Sequence, residues 1–121
     1  MTYKFKHESG DWKAYRKLPD FIEVDFHPRE GEIDQPPYWE RMEQAYSRTI
    51  EALQRAQKTG KQYVLFTHGW STSRIGKATS RSQVRKAMQN KEATPFIIRS
   101  ECIQHDSVFV AAIKPLPDLD A

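Results

Sequence analysis

The sequence predicts an α/β protein: a two-layer α/β sandwich of order β-α-β-α-β-β, preceded by an N-terminal extension. Three observations predict it. Residues 21–26 and 63–67 are short apolar runs of strand character, and a long segment with helical periodicity separates them. A second helical pattern follows from Ser80. Two further apolar runs, at 96–100 and 107–113, complete the order. A strand, a crossover helix and a parallel strand form a βαβ unit, which brings the carboxyl ends of both strands to one sheet edge.

Residues 1–20 are basic and aromatic, with Tyr3, Phe5, Trp12 and Tyr15 at no clear period, and form either an arm or an extra strand. The domain proper is expected over 21–114, and a proline- and aspartate-rich tail at 115–121 is expected to be disordered. Pro28 disfavours the α region for His27, so the first strand should end there. Pro37 suits the first helical position, and Trp39, Met42, Tyr46, Thr49, Ile50, Leu53 and Ala56 recur along one helical face. Gly60 is the expected stop. The run Tyr63–Thr67 is nearly continuously apolar, as in a strand covered on both faces. Residues 70–79 form a polar loop. Ser80 and Gln83 have capping-box spacing, and Val84, Ala87 and Met88 supply the apolar side of the second helix.

Composition narrows the function. With 121 residues, 38% hydrophobic and 29% charged, the chain fits one domain with a modest core. No apolar stretch is long enough to cross a membrane, and the N-terminus lacks the apolar centre of a secretory signal. Cys102 is the only cysteine; it lacks any motif and reads as buried filler. These features predict a cytoplasmic protein. The net charge of +3 hides a strong asymmetry, because residues 52–91 contain no acid but carry Arg55, Lys58, Lys61, Arg74, Lys77, Arg81, Arg85, Lys86 and Lys91. Such a one-signed block attracts polyanions and predicts a nucleic-acid partner.

Two histidine motifs stand at the expected strand exits: Val24-Asp25-Phe26-His27 and His68-Gly69-Trp70-Ser71. Histidine titrates near neutrality, so two imidazoles flanking a phosphodiester can serve as general base and general acid. Asp25, two residues before His27 and on the same strand face, can orient an imidazole. The same three residues could instead form a two-histidine, one-carboxylate metal site, although no H-x-x-x-H or C-x-x-C spacing supports a divalent metal and no cofactor is expected. His7 and His105 have no sequence partner and read as incidental. An α/β-hydrolase is excluded by the absence of a G-x-S-x-G elbow.

With these motifs the chain resembles the Smr domain, the small MutS-related module, whose signature is L-D-x-H on one strand and H-G-x-G after the next. Valine stands for leucine in the first motif, and Ser71 stands where the second motif has glycine. The segment Ser80-Arg81-Ser82-Gln83-Val84 is similar to the Leu-Arg-x-x-Val helix start of that family. The resemblance spans residues 21–114. It implies an α/β sandwich that binds nucleic acid and cleaves RNA or structured DNA. Asp25, His27 and His68 would then be catalytic, and Gly69, Trp70, Arg74, Lys77, Arg81, Arg85 and Lys86 would hold the strand. The alternatives are a binding module without catalysis and an interaction domain for an acidic protein.

Overall fold

The computed structural model describes residues 3–26, 38–68 and 79–116. It is a mixed α/β fold built on one five-stranded mixed sheet of order β1-β4-β5-β3-β2. The strands are β1 (Lys6–Glu8), β2 (Phe21–Asp25), β3 (Tyr63–Thr67), β4 (Ile103–His105) and β5 (Val108–Ala112). The helices are α1 (Tyr38–Lys58) and α2 (Ser80–Gln89), and a 3-10 helix covers Trp12–Lys17. The two motif strands are parallel neighbours, with Phe21 opposite Tyr63 and Asp25 opposite Thr67. α1 is their crossover. β5 runs antiparallel to both β3 and β4, so β1, β2, β3 and β4 all point the same way.

Both faces of this sheet are covered. Val64, Phe66, Phe109 and Ala111 pack with Leu53, Ala56, Val84, Ala87 and Met88 of the helices. The alternate residues Leu65, Val108 and Val110 pack with Trp12, Tyr15, Leu18 and Phe21 on the other face. The N-terminal segment therefore supplies an edge strand, β1, and a thin covering layer opposite the helices. This double coverage explains why β3 and β5 read as continuous apolar runs rather than alternating ones. Along the helix side runs an aromatic row. Phe5 meets Phe109 edge-on at 5.1 Å, Phe109 lies opposite Phe66 in register, and Phe66 stacks on Phe26 at 6.2 Å.

Local signals in the sequence decide the element ends. Gly60 ends α1 with φ +74, a left-handed conformation that costs glycine little. Lys61 N–H donates to the Ala56 carbonyl at 2.8 Å and Gly60 N–H to that of Gln57 at 3.3 Å, which is the Schellman pattern. The capping box of α2 falls one residue earlier than its spacing suggests. Thr79 is the N-cap: its hydroxyl accepts from Ser82 N–H at 3.1 Å, and Ser82 Oγ accepts from Thr79 N–H at 2.7 Å. A serine hydroxyl thus does the work that glutamine was expected to do.

Two further expectations are corrected. Residues 96–100 do not form a strand: Ile97 makes an isolated bridge to Ile113, and Arg99–Glu101 is a 3-10 turn. Arg99 is the cause. Its guanidinium donates to the carbonyls of Met88 (3.1 Å) and Asn90 (2.9 Å) and to Thr94 Oγ1 (2.9 Å), closing the C-terminus of α2 and turning the chain back. The strand before the last is therefore β4, further along the chain. Trp39, assigned to the buried stripe of α1, is 67% exposed. The expected loop at 30–37 and the tail beyond Leu116 lie outside the described residues.

Among the described residues, no helix is long and apolar enough to cross a membrane. Cys102 is fully buried, as its lack of a motif suggested; its Sγ accepts from Ala112 N–H and donates to the Ile98 carbonyl, each at 3.4 Å. Burial pushes the thiol up from 9.0 to about 11. Because the folded value is raised, the thiol's contribution to stability is complete below about pH 9 and disappears as pH rises through about 11. A thiol-reactive chromogenic disulfide at pH 8 is expected to label the protein only after denaturation; rapid labelling of the folded protein would contradict the burial.

Candidate functional site

The parallel register carries both motif strands to the same edge. Beyond the Asp25–Thr67 pair, Phe26 N–H donates to the Thr67 carbonyl at 3.0 Å, so β2 and β3 leave the sheet together. β4 ends at this edge as well, with His105 and Asp106, and β1 ends there with His7 and Glu8. Both helices start here, since each follows a strand that ends here. Gln83 Nε2 donates to the Met42 carbonyl at 2.9 Å and so ties the first turns of α2 to those of α1. Arg81 and Arg85, predicted to hold an anion, are thereby delivered to the edge that carries Asp25 and His68.

The edge has two sides. Ile22, Val24 and Phe26 pack towards the helices, while Phe21 packs on the opposite face. Alternation therefore puts Glu23 and Asp25 on the 3-10 side. Glu23 accepts a bidentate pair from Arg16, with Nε to Oε1 at 2.9 Å and Nη2 to Oε2 at 3.1 Å. Arg16 also lies 4.6 Å over the Trp12 ring. The hydrogen bond to Glu23, with smaller contributions from the charges of Glu23 and Asp25, holds the guanidinium's proton more tightly than usual. Thr67 shares this side with Leu65. His68, one position further, falls on the helix-side parity and is 5% exposed. Asp25 and His68 thus meet at one edge by register but differ in parity.

On the helix side, Arg81 and Arg85 stand one turn apart on the same face of α2 and are half-buried. Their Nε atoms are shielded from solvent and have no acceptor among the described residues. Arg81 Nη2 lies 3.7 Å from Asp106 Oδ1, and Arg85 Nη2 donates to the His105 carbonyl at 3.4 Å. Burial, aided by the positive charge of Arg81, lowers the proton affinity of Arg85, and Asp106 partly offsets this. Lys86 is exposed.

Two histidines without a sequence motif prove to be structural or electrostatic parts of the edge. His105 is buried; its Nδ1 accepts from Ser107 N–H at 3.0 Å, so Nε2 carries the hydrogen that reaches the Gly10 carbonyl at 3.0 Å. Both ring nitrogens are committed to pinning the 3-10 layer onto the β4–β5 turn. Beside it, Tyr15 donates its hydroxyl to Glu8 at 2.6 Å, which lowers the Glu8 carboxyl below its ordinary value. His7 lies 3.3 Å from Asp106 Oδ1. Only the tertiary fold brings His7 to Asp106, 99 positions away, so no local pattern could have identified the pair.

His27, Gly69, Trp70, Arg74 and Lys77 lie outside the described residues. Among the described residues no cluster of three or more histidine, cysteine or acidic side chains is gathered to hold a metal ion. The fold and its edge define a mixed α/β protein with a cationic, histidine-bearing strand edge. No family model, curated protein or solved structure matches the chain.

Proposed function

We propose that this chain is an Smr-like nucleic-acid-binding endonuclease that cleaves a phosphodiester at the edge where β2 and β3 end. The arginine pair of α2 is the observation that carries the reading. Two half-buried guanidiniums one turn apart repel each other and have a single carboxylate, Asp106, to balance them among the described residues. A phosphodiester supplies the missing negative charge and two acceptor oxygens. Arg81 and Arg85 hold the backbone, and the loop residues Gly69, Trp70, Arg74 and Lys77 extend the contact. Lys86, exposed on α2, adds long-range attraction. His27 and His68 exchange protons across the scissile bond, one activating the nucleophilic oxygen and the other protonating the leaving oxygen. Asp25, two positions before His27 in the sequence, orients that imidazole. The Smr-type packing of both helices on one face of the sheet is part of the same proposal, with the N-terminal segment added on the other face.

The opposite parity of Asp25 and His68 favours a second reading, in which the edge binds nucleic acid without cutting it. Both readings need a salt-sensitive affinity. Fluorescence anisotropy with a labelled single-stranded RNA and a DNA duplex is expected to show log Kd rising linearly with log salt. Arg85→Ala should weaken binding by roughly five- to tenfold and reduce the slope by about one. An affinity indifferent to salt and to Arg85 would refute both.

A further inference from the structure

Among the described residues, the one acid that touches the arginine pair is placed as a ligand would be. Asp106 stands at the exit of β4, in the turn that leads into β5. One of its oxygens, Oδ1, lies 3.3 Å from His7 Nε2 and 3.7 Å from Arg81 Nη2. The second distance is that of an ion pair without a hydrogen bond, and Arg81 Nε has no acceptor among the described residues. Arg85 feels the same carboxylate. Three cationic or protonatable groups from β1 and α2 thus converge on one carboxylate that is itself 28% exposed. At the N-terminus of α2 the Thr79–Ser82 capping box engages the Ser82 N–H.

We infer that His7, Arg81 and Arg85 form a phosphate subsite at the β4–β5 turn, which the Asp106 carboxylate fills in the free protein and yields to a backbone phosphate of a nucleic-acid strand. This inference rests on the nucleic-acid reading above and adds His7 and Asp106 to it. A carboxylate and a phosphodiester each present one negative charge over two oxygens, so one can replace the other against the same donors. Displacement requires only a side-chain rotation on a turn. Asp106 follows β4, and β5 alone separates β4 from β3, so the subsite lies about 10 Å from the β3 exit at ~4.8 Å per strand. A strand laid across the sheet edge would reach both. The subsite contacts backbone and carries no base preference.

The test is binding of a labelled single-stranded RNA 12-mer, and separately of inorganic phosphate, to the full chain and its Asp106→Asn, Asp106→Ser, His7→Ala, Arg81→Ala and Arg81→Ala/Asp106→Asn variants. Circular dichroism would establish that each variant is folded. Removing the internal anion is expected to tighten RNA binding by roughly three- to tenfold and to steepen the salt slope by about one. His7→Ala should weaken binding, and the gain from Asp106→Asn should vanish when Arg81 is alanine. Unchanged or weaker RNA binding by both Asp106 variants, with Arg81→Ala still harmful, overturns the subsite and leaves the nucleic-acid reading standing. Tightening for inorganic phosphate alone overturns the assignment to a nucleic-acid strand. No RNA binding by the unmodified chain or by any variant overturns the nucleic-acid reading itself.

Discussion

His68→Ala is expected to reduce phosphodiester cleavage by roughly 10²- to 10⁴-fold, the range that a positioned general acid or base contributes, while RNA affinity changes little. His27→Ala should do the same if the two imidazoles act as a pair. His68 is 5% exposed, so its truncation also leaves a gap in the packing. His68→Asn, closer in volume and able to hydrogen-bond but unable to exchange a proton near neutrality, separates the two effects. Lost cleavage in the asparagine variant, with folding and binding retained, assigns His68 to the chemistry. Cleavage that survives both His68 variants would exclude it and leave the binding-only reading.

The second large effect lies in the core. Phe109 is fully buried on central strand β5, opposite Phe66 and edge-on to Phe5. Phe109→Ala is expected to destabilise the fold by about 3–5 kcal/mol, through lost burial and a cavity between the sheet and the helices. That is a large share of the roughly 5–15 kcal/mol that holds a domain of this size together. Thermal denaturation should show a midpoint lower by roughly 10–20 °C. Phe109→Leu, which keeps most of the volume, should cost far less. Equal losses for leucine and alanine would mean that the aromatic edge contacts, rather than volume, dominate.

The legible parts of this fold are those with local signals. β2, β3, α1 and α2 were each marked by a period and by breakers, and Gly60 forms the Schellman stop expected of it. The edge they share followed from the βαβ order alone, because a parallel pair joined by a crossover has its carboxyl ends together. The misread parts depend on distant partners. Residues 96–100 look like a strand until Arg99 is seen to close the far end of α2. Trp39 has the spacing of a core residue, yet in the first turn of α1 it is 67% exposed.

Sequence by itself determined the mixed α/β class, the shared edge of the two motif strands, the acid-free cationic block and the buried character of Cys102. Each follows from periodicity, composition or chain connectivity, which are properties of short stretches. Only the tertiary structure decided that the N-terminal segment supplies a strand and covers the second face of the sheet. The same holds for the locking of His105 between Gly10 and Ser107, and for Asp106, which stands between His7 and Arg81. These groups meet because β1 pairs with β4 across most of the chain. Such long-range pairing is selected by the burial of both sheet faces together, a collective energy to which no single segment holds the key.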